Sequence, residues 1–137
     1  MSLPSGLLAA TVALASFCAR PAAGENLQGY SGAQLYQRFC AACHGTEAHG
    51  DGPVAPFFKV TPPDLTRIAH HYGGKFPAAE VRKTIDGRSN LLPHGERTMP
   101  VWGLEFMLAE GSTQEARQRA ESIISRLVDY LASIQEP

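Results

Sequence analysis

Cysteine is scarce in this sequence: of 137 residues, only Cys18, Cys40 and Cys43 carry a thiol. A multi-bridge disulfide scaffold is therefore excluded, because no second close pair exists to build one. An excess of one charge is also lacking, with 12 Lys plus Arg against 13 Asp plus Glu. Domains that bind nucleic acid gather basic residues on one face and become basic overall, so this balance argues against such a partner. A membrane-spanning run is missing too: the apolar stretch Gly6 to Phe17 falls well short of the roughly 20 residues that cross a bilayer. No stretch alternates well enough to predict a strand, and there is no internal repeat or low-complexity block. No Ser/His/Asp or carboxylate pair has recognisable local spacing, so no enzyme active site is expected. The length suits one domain.

What stands at the N-terminus is a short apolar run followed by "CARPAAGEN", rich in small residues. Residues 1–24 read as a secretory signal peptide, although no Lys or Arg precedes the run. Cleavage is expected near Ala22 to Gly24, leaving a domain of residues 25–137 and removing Cys18. A lipid-modified Cys18 is disfavoured, since Phe17 stands where such sites want a small residue. If the segment stays uncleaved it becomes a weak membrane anchor. The exported chain keeps 11 basic and 13 acidic residues, a net charge of −2. Residues 59–97 carry seven basic and four acidic groups, and residues 98–137 three basic and six acidic. An ordinary solvated surface explains this, and the functional alternative is that the basic middle orients the protein towards an acidic partner.

Helices are expected near both ends. In "YSGAQLYQRFCAAC", Ser31 and Gln34 have capping-box spacing, and Tyr30 and Leu35 sit where a hydrophobic staple would. In "FPAAEVRKTIDGR", Pro77 is read as the first helical residue, Val81 and Ile85 share a face, and Gly87 is a plausible stop. The last helix is read as capped by Ser112 with Glu115. Its apolar stripe is Ala120, Ile123, Leu127, Leu131 and Ile134, which needs a partner helix. Between them, "GDGPVAPFFKVTPPDL" and "GRSNLLPHGERTMPVWG" are broken by glycine and proline. The predicted fold is all-α with long ordered loops, thin in core unless a large apolar cofactor organises it.

The pair Cys40 and Cys43, with His44 directly after it, limits what that cofactor is. A structural zinc site wants four Cys or His ligands; His70 and His71 could be imagined as completing one, but adjacent histidines point in different directions and lack the usual H-x3-5-H spacing. A thiol redox pair belongs at the start of a helix after a strand, whereas this pair follows a capped helix. A disulfide over so short a loop would constrain little. The reading that uses all three residues is C-x-x-C-H, the attachment signature of one c-type haem. Cys40 and Cys43 would hold the ring through its vinyl groups, and His44 would be the proximal iron ligand.

The motifs "GAQLYQRFCAACHG", "TMPVWG" and the terminal "LVDYLASI" together resemble the class I monohaem c-type cytochromes of bacteria. The resemblance covers about residues 30–134. It implies a small cytochrome c fold, with first and last helices crossing at a close contact and loops wrapped around one covalent haem c. Gly32 and Tyr36 would then face Leu127, Tyr130 and Leu131. It also implies a periplasmic location and a methionine ligand in the loop before the last helix, which points to Met99. A thioether is a soft ligand suited to haem iron, and Pro100 stiffens the approach. His94 is the alternative distal ligand, and Met107 reads as core. His49, His70 and His71 are expected at the surface. "VAPFF", Leu91, Leu92 and Trp102 are candidate walls, and Arg67, Arg88 and Arg97 candidate propionate partners.

With both axial positions filled, no position stays open for oxygen, and the expected role is electron transfer rather than catalysis. The leading expectation is a monomeric periplasmic carrier, taking electrons from a dehydrogenase or quinol-oxidising complex and delivering them to an oxidase or other acceptor. The alternatives are an electron-transfer subunit fixed in a larger complex, or a sensor with an exchangeable sixth ligand. A fixed subunit should show an exposed apolar patch.

Overall fold

The computed structural model describes residues 26–87 and 99–137. The expected signal peptide, together with Arg88, Leu91, Leu92, His94 and Arg97, lies outside the described residues. Among the described residues six α-helices follow in chain order: α1 (Gly32–Phe39), α2 (Ala41–His44), α3 (Ile68–His71), α4 (Ala78–Asp86), α5 (Trp102–Glu110) and α6 (Gln114–Ser133). Short 3-10 turns stand at Leu27–Gly29, Ala55–Phe57 and Leu65–Arg67. Among the described residues there is no strand, and no helix is long and apolar enough to cross a membrane.

The start of α1 is fixed by the capping box read in the sequence. The Ser31 hydroxyl accepts from the Gln34 amide at 3.2 Å, and the Gln34 side chain accepts from the Ser31 N–H at 2.8 Å. Two free N–H groups of the first turn are thereby satisfied. Leu35 and Tyr36 turn inwards and are fully buried. They meet α6, whose buried face comprises Ala116, Ala120, Ile123, Ile124, Leu127, Val128 and Leu131. This face is wider than the predicted stripe because α6 packs against α1, α4 and α5 at once. Each large aliphatic side chain buried there contributes about 1.5–3 kcal/mol.

The α1–α6 crossing is as close as the resemblance implied. A Cβ on Gly32 would overlap the Arg126 carbonyl and stand 2.8 Å from the Tyr130 Cβ. The rings of Tyr36 and Tyr130 pack beside this contact with centroids 5.3 Å apart. Inside it the Tyr36 hydroxyl donates to the Gly45 carbonyl at 2.7 Å, which ties α1 to the turn after α2.

Two helix starts differ from the sequence reading by one residue. The cap of α6 is Thr113, whose hydroxyl accepts from Ala116 N–H, and not Ser112. Pro77 is the N-cap of α4 rather than its first helical residue, and its carbonyl accepts from Val81 N–H. The stop of α4 is as expected: Gly87 adopts φ +83°, a left-handed conformation that glycine takes without strain. Helix α5 is apolar nearly all round. Phe106 is buried within the core, while Leu104 and Leu108 are 45% and 68% exposed on the far side.

Candidate functional site

The end of α1 delivers the first cysteine. Cys40 closes α1 through its N–H to the Tyr36 carbonyl, and its own carbonyl opens α2 by accepting from His44 N–H at 2.9 Å. One tight turn therefore holds Cys40, Cys43 and His44, and all three line one cavity of about 680 Å³. Cavities of this size ordinarily hold cofactors or small molecules. Phe39 adjoins the cysteines, Leu65 and Ile68 come from the segment before α3, and Val81 and Ile85 from α4. Met99, Pro100 and Trp102 bring in the segment that leads into α5.

His44 is buried, and its Nδ1 donates to the Pro63 carbonyl at 3.1 Å. A carbonyl can only accept, so the neutral ring carries its proton on Nδ1 and keeps a free lone pair on Nε2. Burial lowers the pKa of this imidazole below the usual histidine value, partly opposed by the Pro63 bond. Cys40 is buried too, and burial, followed by the neighbouring Cys43, pushes its thiol up to about 12. A thiol held protonated in this way is not the low-pKa nucleophile of a disulfide oxidoreductase.

Met99 is half-buried, packs against the core and lines the same cavity. Met107 packs against the core and is not among the lining residues, as its sequence context suggested. His71 is exposed yet lines the cavity, and its ring meets that of His70 edge-on. His49 stands on the surface, 3.5 Å from the Asp64 carboxylate. Among the described residues no three His, Cys, Asp or Glu side chains converge as a metal-binding group, so the zinc reading finds no ligand set there. Of the stretch "VAPFF", only Phe58 lines the cavity, and Phe57 is 86% exposed. Trp102 does form a wall, stacked on Phe106 and packed against Phe39. Arg67 is half-buried and absent from the lining.

Sequence reasoning missed the Pro63 carbonyl, Leu65, Ile68 and Thr84. The Pro-Pro pair before Asp64 was the available signal, because it forces an extended chain that can run along a cavity wall.

The donor chemistry fits a covalently held haem. Two thiols and an imidazole in one turn share an apolar cavity with a thioether from a distant segment, matching the Cys40–Cys43–His44 pattern of one haem c. Neither the curated proteins nor the solved structures provide a match to the chain. A family match does exist, to cytochrome c oxidase, cbb3-type, subunit III, over residues 28–113. That span contains the cysteine pair, His44 and Met99, and it covers more than half of the chain. The chain therefore belongs to the cbb3-type cytochrome c oxidase subunit III family and is a c-type-cytochrome-like electron-transfer domain.

Proposed function

We propose that this chain is the haem-c-bearing electron-transfer domain of a larger oxidase complex, exported to the periplasmic side of a bacterial membrane. The observation that carries this reading is the sharing of one apolar cavity by Cys40, Cys43, His44 and Met99. When bound, haem c supplies a one-electron ferric/ferrous couple. Cys40 and Cys43 would hold the ring by thioether bonds. His44, through its free Nε2 lone pair, and Met99, through its thioether sulfur, would be the residues that hold the iron. Phe39, Leu65, Val81, Ile85 and Trp102 exclude water, which favours the less charged reduced state. With His44 and Met99 both holding the iron, the group would supply electron transfer to partner subunits rather than oxygen chemistry.

The family match favours a fixed subunit over the diffusing monomer that the sequence first suggested. The exposed Leu104 and Leu108 support this, since permanent interfaces are more apolar than ordinary surface. The test is purification from the native membrane under mild detergent. Co-migration of covalent haem with larger oxidase subunits is expected, whereas a monomer released in full by osmotic shock would restore the free carrier.

A further inference from the structure

The end of the chain, beyond the residues matched by the family, grips the segment that carries the His44 hydrogen-bond acceptor. The Gln135 carboxamide oxygen accepts from Ala69 N–H at 2.7 Å. Its nitrogen donates to the Leu65 carbonyl at 2.8 Å and to the Leu131 carbonyl at 2.7 Å. Glu136 N–H adds a bond to the Thr66 carbonyl at 2.8 Å. Leu131 lies in the last turn of α6, where carbonyls have no intrahelical partner, so Gln135 satisfies that helix end and the neighbouring segment together. The opposite side of the segment rests on the loop after His44. Leu65 N–H donates to the Ala48 carbonyl at 2.7 Å, and a Cβ on Gly50 would overlap the Pro62 carbonyl. Residues 62–69 are thus held between the His44 loop and the chain end, with the Pro63 carbonyl 3.1 Å from His44 Nδ1.

From this we infer that Gln135 is a positioning residue for the proximal ligand, resting on the haem-site reading above. By fixing the segment, it holds the Pro63 carbonyl against His44. A hydrogen bond accepted from the non-ligating nitrogen raises the basicity of a ligating imidazole and fixes its orientation. A more basic imidazole favours ferric iron. Loosening the clasp weakens the Pro63 bond and shifts the couple towards ferrous iron, without touching any residue at the iron.

The test is Gln135→Met in the haem-loaded protein, with the reduced-to-oxidised ratio read at one fixed applied potential and amide exchange read at Ala69. The expected result is about a three- to tenfold rise in the reduced fraction ratio, where tenfold is about 59 mV for one electron. Ala69 exchange should quicken alongside it. Glu136→Pro removes the bond to Thr66 and, because its ring also restricts the backbone of the preceding Gln135, should move the ratio the same way, which keeps the test decisive if Gln135→Met folds poorly. Ser133→Ala, at the same helix end but outside the clasp, should leave the ratio unchanged. A Gln135→Met protein that is less stable but has the wild-type ratio would overturn the inference and leave Gln135 as a tail anchor only. A wild-type protein without covalent haem would instead overturn the site reading beneath it.

Discussion

Gly32 is the residue on which the crossing of the first and last helices depends. Its missing side chain lets the α1 backbone lie against the Arg126 carbonyl, beside the Tyr36–Tyr130 ring pair. Gly32→Ala inserts a methyl where backbone already stands, and overpacking of this kind costs roughly 1–3 kcal/mol. Chemical denaturation of the haem-loaded protein should show that loss, and an unchanged midpoint would mean the helices separate freely. The same crossing positions Cys40 at the end of α1, so haem incorporation in this variant should be slower as well.

At the scale of elements, the segment from Asp64 to His71 joins the cavity wall to the rest of the fold. Asp64 caps the turn Leu65–Arg67, accepting from Thr66 N–H at 2.9 Å and from its hydroxyl at 2.6 Å. Burial alone would raise the Asp64 carboxyl, but the Thr66 bonds and His49 outweigh it and hold the pKa below the ordinary value. A depressed carboxyl contributes stability that is present above the unfolded pKa and lost as pH falls through the folded one. Stability should therefore fall on the acid side, below about pH 3.8, the ordinary value for this group. Asp64→Asn keeps a capping oxygen while losing the titration, so its acid-side slope should be shallower in thermal melts from pH 5 to 2; an unaltered slope would assign the loss elsewhere. Much of this architecture was legible in the sequence where neighbours along the chain make the feature. Ser31 with Gln34, Gly87, and the Cys40–Cys43–His44 turn are of that kind. Ser112 was read for Thr113 because both are good caps and only tertiary placement of the first turn chooses between them. The cavity walls were largely hidden: Leu65, Ile68, Val81 and Ile85 come from separate segments, and the Pro63 carbonyl is backbone, which no residue type announces. Gln135 was hidden for the same reason, since two of its partners are carbonyls and the third is an amide N–H.

For the whole molecule, what matters is which surface is left apolar once the core is closed. Helix α5 buries Phe106 and turns Leu104 and Leu108 outwards, while Trp102 at its start lines the cavity. A charge on that outer face costs the isolated domain little, because Leu108 largely and Leu104 in part already face water, and a lysine stem can cover the same surface. The double variant Leu104→Lys, Leu108→Lys should therefore keep its haem spectrum and its stability within about 0.5 kcal/mol. It should nevertheless lose co-purification with the larger subunits, and retained assembly would place the interface elsewhere. What favours a fixed subunit over a free carrier is the family match, which was not legible in the sequence, where exposed leucines are ordinary.

The most direct test of the central claim is the absorption spectrum of the purified protein, oxidised and reduced, extended into the far red, for wild type and Met99→Ala. The account predicts a six-coordinate covalent haem with the weak iron-to-methionine sulfur band in the wild type. In Met99→Ala the band should vanish and the reduced protein should bind carbon monoxide. A wild type without the band, or a Met99→Ala protein with an unchanged spectrum, would contradict it.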